Sequence, residues 1–254
     1  MAKRYNKDGL GDRMKEYESR NQYYLQKRTP VILRLDMRAG HSFTKGLQKP
    51  FDNIFMNTMI ATMEQCCEEI QNCVFGYTQS DEITLVLIDY YNLNTAAWFE
   101  YRTDKLCSIS AGLATYHFTK IFEENAKRII SFDPNDKYAL TLQRCISKSS
   151  IFDSRCFNLP KEEVTNCLYW RQLDAVRNSI QACGQAEFSH KQLDHKTCEN
   201  IKEMLVEKGK PWESLPIYKQ RGTCCRRDKE EGWVTNYSMP LLVKEGREYL
   251  EELI

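Results

Sequence analysis

The chain has 254 residues, and its 36 Lys and Arg against 35 Asp and Glu give a formal net charge of +1. This balance excludes a histone-like polycation, so any nucleic-acid binding must depend on a local basic patch. The length is sufficient to bury a sizeable core, in one large domain or two small ones.

The N-terminal stretch MAKRYNKDGLGDRMKEYESRN is charged and lacks an apolar core, so we predict no signal peptide. No apolar run approaches the roughly 18 residues of a membrane-spanning helix, and we therefore expect no membrane partner. The 11 cysteines are odd in number and lack C-x-x-C spacing, which is typical of reduced thiols in a cytoplasmic protein.

The first predicted strand is Val31–Asp36, a run of branched apolar residues that follows Pro30. Its odd-numbered residues are apolar and share one face, whereas Arg34 and Asp36 lie on the other face. Residues 51–73 then carry apolar side chains at three- and four-residue intervals, which predicts a helix.

The next segment, VFGYTQSDEITLVL, predicts a β-hairpin with strands over residues 73–78 and 83–89. Two acids, Asp81 and Glu82, stand at its turn. A single acidic turn is usually a solvated hairpin tip, unless the rest of the chain brings it partners for a metal ion.

A helix over residues 95–125 and a strand over residues 150–158 complete this part of the chain. The order strand, helix, hairpin, helix, strand is close to the β-α-β-β-α-β plan, so we predict an α+β fold with a ferredoxin-like polymerase or cyclase palm. In that plan the end of the first strand lies beside the hairpin turn, which makes Asp36 and Asp81 neighbours. Two carboxylates with a backbone carbonyl suit Mg²⁺, and two such ions can activate a hydroxyl and neutralise a leaving pyrophosphate.

Residues 159–254 are predicted to be a helical and β-hairpin extension packed on the catalytic palm of residues 1–158. Residues 160–205 have the apolar spacing of helices. The run YKQRGTCCRRD has two interpretations, a solvated hairpin turn or a contact with an RNA backbone. The cations of the second interpretation are Lys219, Arg221, Arg226 and Arg227.

Four segments resemble, in this order, the tRNA-His guanylyltransferase family and its 3′-5′ RNA polymerase relatives: ILRLDMRAGHSFTKGLQKPFD, VFGYTQSDEITLVL, LYWRQLDAVRNSIQ and LPIYKQRGTCC. The resemblance extends from about Gly9 to Cys225. It implies a palm-like fold, two Mg²⁺ ions, and GTP and ATP as substrates. It also implies tRNA as a partner, a homotetramer, and the addition of nucleotides to the 5′ end of tRNA.

The resemblance implies a role for individual residues. Asp36 and Asp81 correspond to metal-binding carboxylates, and Met37 stands where the family binds metal through a backbone carbonyl. Glu82 would orient or tune the metal ions from outside. The implied nucleotide-binding residues are Asp36, Met37, Arg38, Ala39, Gly40, His41, Lys49, Ser80, Asp81, Arg102, Lys105 and Ser108. As an alternative, Lys49, Arg102 and Lys105 are solvated surface cations.

Three positions depart from the family pattern. Met37 replaces a glycine and would be strained if that residue had φ > 0, in which case Met37→Gly should keep or raise stability and activity. Gly40 stands where the family usually has an aromatic ring. Val176 replaces the histidine of the H-I-N-N motif. The sequence therefore resembles the bacterial and archaeal branch, which repairs truncated 5′ ends by templated addition, and we expect no privilege for tRNA-His.

Two other functions remain open at this point. A palm-type nucleotide cyclase needs the same metal ions but no tRNA surface. A catalytically lapsed tRNA-binding protein would account for Met37 and Gly40. Incorporation of a labelled nucleotide into a truncated tRNA distinguishes these functions from nucleotide addition.

Overall fold

The computed structural model describes residues 9–228 and 230–254. The strands are β1 Val31–Met37, β2 Cys73–Gln79, β3 Glu82–Leu87, β4 Phe152–Asn158, β5 Thr223–Asp228 and β6 Gly232–Asn236. The helices are α1 Leu10–Ser19, α2 Gly40–Thr44, α3 Asn53–Glu69, α4 Thr103–Ile130, α5 Lys137–Ile146, α6 Lys161–Glu187, α7 His190–Leu193, α8 Cys198–Glu207, α9 Ile217–Arg221 and α10 Glu248–Glu251. Short 3₁₀ turns lie at Trp98–Tyr101, Trp212–Ser214 and Lys244–Arg247.

Within the described residues, the strands form one antiparallel sheet of six strands in the order β4-β1-β3-β2-β5-β6. The first four positions of this order, with α3 and α4 as the connecting helices, are those of the ferredoxin-like plan. The predicted α+β palm is therefore confirmed. Helices α1 and α5 are absent from the predicted elements, and α4 begins later than expected because a 3₁₀ turn precedes it.

The two faces of β1 bury different cores, as its alternating sequence predicts. Leu33 and Leu35 are fully buried in the main core against α3 and α4. Ile32 is buried on the opposite face, in a second core formed with α6 and the C-terminal segment. Asp36 shares this second face with Arg34, so its carboxylate lies on the side of the sheet that α6 covers.

The C-terminal extension adds two strands to the palm sheet. Strand β5 pairs with β2, with Thr223 opposite Thr78, and β6 pairs with β5. The run YKQRGTCCRRD is thus not a hairpin turn: its first half is α9, and its second half is β5. Strands from both predicted domains, residues 1–158 and 159–254, therefore belong to one sheet. The domain boundary between residues 158 and 159 stays a prediction.

No helix in the described ranges is long and apolar enough to cross a membrane. All 11 cysteines are free thiols, as the odd count and the spacing predict. The cytoplasmic location stays a prediction.

Candidate active site

The end of β1 and the tip of the β2–β3 hairpin meet at one edge of the sheet. Asp36 is the cross-strand partner of Glu82 on one side and of Asp153 on the other. The Met37 backbone N–H donates a hydrogen bond to the Asp81 carbonyl oxygen at 3.0 Å. The structure therefore brings Asp36 and Asp81 together, as the strand order predicts.

This edge carries an excess of negative charge. Burial raises the pKa of Asp36, and the charges of Asp81, Glu82 and Asp153 raise it further. Arg155 lowers it in part, but its guanidinium forms an ion pair with Asp153 at 3.3 Å. Carboxylates that repel one another in this way fit a divalent cation. In residues 9–228 and 230–254, no three His, Cys, Asp or Glu side chains form a group that could hold a metal ion.

Gly40, the first residue of α2, leaves space for the Asp81 carboxylate. A Cβ atom at position 40 would lie 1.8 Å from Asp81 Oδ2 and 2.8 Å from its Cγ. A residue with a Cβ atom cannot fit at position 40 unless the Asp81 side chain changes its rotamer. The need for space beside the Asp81 carboxylate thus explains why this chain has glycine at position 40, where the family usually has an aromatic residue.

We expect Gly40→Ala to displace the Asp81 carboxylate and, since the family resemblance implies that this carboxylate binds metal, to reduce the implied nucleotide addition by about a hundredfold. The free energy of unfolding should fall by about 1 kcal/mol or less, because the clash is with the end of one side chain. Single-turnover assays and urea denaturation measure the two effects. Gly112→Ala is the control, because a Cβ atom there has no neighbour within 4 Å. Full activity of Gly40→Ala would show that the position of Asp81 is unimportant.

The prediction of backbone strain at Met37 is wrong. Met37 ends β1, and the left-handed residue of this turn is Ala39, with φ 56°. The Met37 side chain is 2% exposed and packs in the main core. A methionine is therefore compatible with extended backbone here, and its side chain contributes to the core.

Because Met37 is buried, Met37→Ala should lower the free energy of unfolding by about 3 kcal/mol, from lost apolar burial and the cavity that remains. The expectation that Met37→Gly keeps or raises stability loses its premise, because Met37 is not among the residues with φ > 0. Chemical denaturation of this variant measures the loss. An unchanged midpoint would contradict the packing of β1.

A cavity of about 720 Å³ opens beside this edge of the sheet. Such a volume is typical of small-molecule sites. Of the predicted site residues, His41, Lys49, Ser80 and Lys219 line it. The buried Asp52 carboxylate fixes one wall: it accepts hydrogen bonds from Gln48 N, Phe55 N and the Tyr138 hydroxyl at 2.8–3.0 Å.

The predicted triphosphate contacts on α4 lie elsewhere. The α4 N-terminus packs near Cys156, whose partner on β1 is Leu33. Arg102, which caps this terminus, pairs with Asp104 at 2.8 Å. Lys105 and Ser108 are exposed on the same helix. Within one chain these three residues do not join the cluster around Asp36, and their contact with phosphate stays a prediction.

Glu82 is held by two arginines. Arg34 Nη2 lies 2.6 Å from Glu82 Oε2, and Arg171 Nε lies 2.8 Å from Glu82 Oε1. Arg171 also contacts Asp174 at 2.7 Å, and Asp174 binds the exposed Arg177. Glu82 and Arg171 are 7% and 5% exposed. This buried network joins α6 to the hairpin tip and fixes the residue that follows Asp81.

The W-R-Q triplet of α6 explains why this helix docks here. Trp170 lies beside both Arg34 and Arg171, with its ring centroid 5.2 and 4.4 Å from their guanidinium carbons. Gln172, fully buried, bonds Pro240 O and Leu242 N of the C-terminal segment. Sequence reasoning missed Arg34 and Arg171 as partners of Glu82, although both residues lie in segments predicted to be a strand and a helix.

The predicted basic cluster is dispersed in the structure. Arg221 donates to Met239 O at 3.1 Å, and Arg226 donates to Tyr249 O at 3.3 Å and stacks on that ring. Lys219 lines the cavity, and Arg227 is exposed on β5. Two of the four guanidinium and ammonium groups are thus used inside the fold, and RNA contact by the set stays a prediction.

Comparison with known proteins places the chain in a family. The sequence profile described as tRNAHis guanylyltransferase matches residues 11–160, more than half of the chain. An uncharacterised protein of Acanthamoeba polyphaga mimivirus is 26% identical over 235 residues, which are 86% of this chain and 77% of that protein. A probable tRNA(His) guanylyltransferase of Dictyostelium discoideum is 31% identical over 153 residues, which are 59% of this chain and 52% of that enzyme, so the chain matches about half of its length.

A solved structure resembles nearly the whole chain. It is a bacterial tRNA(His) guanylyltransferase-like protein in complex with ATP, 34% identical, with a TM-score of 0.83 over 96% of this chain and 98% of that one. The chain therefore belongs to the tRNAHis guanylyltransferase family of nucleotidyltransferases.

Proposed function

We propose that this protein adds nucleotides to the 5′ end of a truncated tRNA in the 3′-5′ direction, with Mg²⁺, and with GTP and ATP as substrates. The observation that supports this most is the convergence of Asp36 and Asp81 at the sheet edge, where Ser80, the residue before Asp81, lines a cavity of about 720 Å³. The 3′-hydroxyl of the incoming nucleotide attacks the α-phosphorus of the RNA 5′ end. The bond from that phosphorus to pyrophosphate, or to AMP after activation by ATP, breaks.

In this proposal Asp36 and Asp81 hold the metal ions, with the Met37 carbonyl as a further ligand. Bound there, Mg²⁺ neutralises phosphate charge and activates the attacking hydroxyl. Lys49 and Lys219, which line the cavity, balance the charge of the nucleotide triphosphate, and Ser80 and His41 supply hydrogen bonds. Glu82 orients the metal site without binding a metal ion itself, because both of its carboxylate oxygens are bound to arginines.

An active enzyme is favoured over a lapsed RNA-binding protein. The two positions that raised the second alternative, Met37 and Gly40, are compatible with an intact site: Met37 is in extended backbone, and Gly40 accommodates the Asp81 carboxylate. A nucleotide cyclase would release a cyclic product without RNA. The proposed homotetramer is tested separately by light scattering.

Extension of a 5′-truncated tRNA tests the proposal. The RNA is prepared with a 5′-triphosphate and incubated with GTP and Mg²⁺, and the products are separated on a sequencing gel. We expect the RNA to lengthen at its 5′ end. Formation of cyclic nucleotide without RNA extension would favour the cyclase, and tRNA binding without either product would favour the inactive protein.

Truncated tRNA-His should have no advantage over other truncated tRNAs. Val176, which replaces the family histidine, packs against the small core around Trp212, and its neighbour Ser179 accepts the Trp212 indole N–H at 3.0 Å. Val176 also lacks the hydrogen-bonding ring nitrogens of the histidine that it replaces. The ratio of kcat/KM between truncated tRNA-His and several other truncated tRNAs should stay within about tenfold. A preference of about a hundredfold, roughly 2.7 kcal/mol of discrimination, would contradict this.

A further inference from the structure

A second cleft of about 480 Å³ adjoins the nucleotide cavity. Lys49 and Gln185 line both, so the two spaces meet at these residues. The other polar residues of the cleft come from the α6 end and the α7 region, and include His190, Asp194, His195 and Lys196. We call this space the Lys49 cleft.

Three side chains of the Lys49 cleft that can donate to an anion have no acidic partner in the described part of the chain. Among the described residues, the side chains of Lys49, His190 and Lys196 have no hydrogen bond or ion pair. Of the lysines outside the cleft, Lys208 and Lys210 pair with Glu187, and Lys202 pairs with Glu199 and Glu213, whereas Lys191 has no ion pair among the described residues. Asp194 is the one acid that lines the cleft, and it faces His195 at 3.6 Å.

Cations that face one space without partners favour an anionic ligand. Two lysines and two imidazoles that line one space suit the repeated phosphates of a nucleic-acid backbone. Arg221 of α9 and Arg226 of β5 do not offer this, because both are bound to backbone carbonyls of the protein.

We propose that the Lys49 cleft binds the backbone of the template strand, the RNA strand at the 3′ end of the tRNA. This rests on the proposed function: a nucleotide in the cavity that is added by templating must face a base of that strand. The cleft begins where the cavity ends, at Lys49 and Gln185, so the strand that supplies the template base continues into it.

Charge reversal in the cleft tests the assignment. Fluorescence anisotropy measures the binding of a labelled 5′-truncated tRNA to the wild type, to Lys196→Glu and to Lys191→Glu. Lys191 is exposed on α7 and does not line the cleft, so it is a matched control for the same change of charge. We expect about tenfold weaker binding for Lys196→Glu and less than twofold for Lys191→Glu. For Lys196→Gln, the slope of log K against log salt should fall by about 1.

A tRNA that lacks its single-stranded 3′ tail tests which RNA strand the cleft binds. On this RNA the wild type and Lys196→Glu should bind with equal affinity, because the contact is absent from both. Two results would overturn the assignment of the cleft as an RNA-binding site. One is wild-type affinity of Lys196→Glu for the intact RNA, and the other is an equal loss of affinity in Lys191→Glu. A loss that persists without the tail would overturn the template-strand assignment. Failure of the wild type to bind any tRNA would instead overturn the proposed function and this inference with it.

Discussion

Replacing Asp36 or Asp81 by Asn should reduce nucleotide addition by at least about a thousandfold, which is about 4 kcal/mol of transition-state stabilisation. The amide cannot supply the negative charge that holds a divalent cation, although it fills the same volume. Single-turnover rates at saturating Mg²⁺ measure the effect. Asp153→Asn is the control: Asp153 is also a neighbour of Asp36 across the sheet, but Arg155 already pairs with it. Wild-type rates in either Asp36→Asn or Asp81→Asn would contradict the metal site.

The same Asp36→Asn variant should be at least as stable as the wild type without Mg²⁺ at neutral pH. The pKa of Asp36 is raised in the folded protein, first by burial and then by Asp81, Glu82 and Asp153. The folded state therefore holds this proton more tightly than the unfolded chain, and stability is lost as the pH rises through the raised pKa. Asn removes that loss. Urea denaturation at two pH values measures this pH-dependent loss of stability. A large destabilisation of Asp36→Asn would contradict the repulsion between Asp36 and the neighbouring carboxylates.

The second large effect concerns stability. Arg171→Ala should lower the free energy of unfolding by about 3 kcal/mol, because the buried Glu82 carboxylate would keep Arg34 as its one ion-pair partner among the described residues. The same change should raise the Mg²⁺ concentration needed for half-maximal activity, since the hairpin tip that carries Asp81 loses its fixed neighbour. Chemical denaturation and Mg²⁺ titration are the two measurements.

Arg177→Ala is the matched control on the same helix. Arg177 binds Asp174, as Arg171 does, but its side chain is 60% exposed. Its loss should cost about 0.5 kcal/mol or less. Arg171→Met together with Glu82→Gln should cost less than Arg171→Met alone, because the buried carboxylate is then removed together with its arginine partner. Equal costs for Arg171→Ala and Arg177→Ala would show that the network contributes little.

The convergence of Asp36 and Asp81 could be predicted from the sequence. It follows from the two-residue period of β1 and from the order of elements, both of which are local signals. The strain expected at Met37 was not predictable in the same way, because no sequence pattern states the φ of one residue. The left-handed position is Ala39, two residues later, where the chain turns into α2.

The rest of the site depends on contacts between distant segments. Glu82 meets Arg171 across a long stretch of chain, and the cavity requires α6 and α9 to close over the hairpin tip. Neither contact leaves a periodic signal in the sequence. The charged run of β5 is more typical of a solvated turn than of a strand, and only its pairing with β2 makes it part of the sheet.

The fate of the γ-phosphate of GTP tests the central proposal most directly. In 3′-5′ addition the incoming nucleotide keeps its triphosphate, and the pyrophosphate comes from the RNA 5′ end. With a 5′-triphosphate tRNA that lacks its first nucleotide, we therefore expect label from γ-³²P-GTP to appear at the 5′ end of the RNA, only with Mg²⁺, and not with Asp36→Asn. Release of the γ-label as pyrophosphate while α-label is retained in the RNA, or no label in the RNA from either nucleotide, would contradict the account.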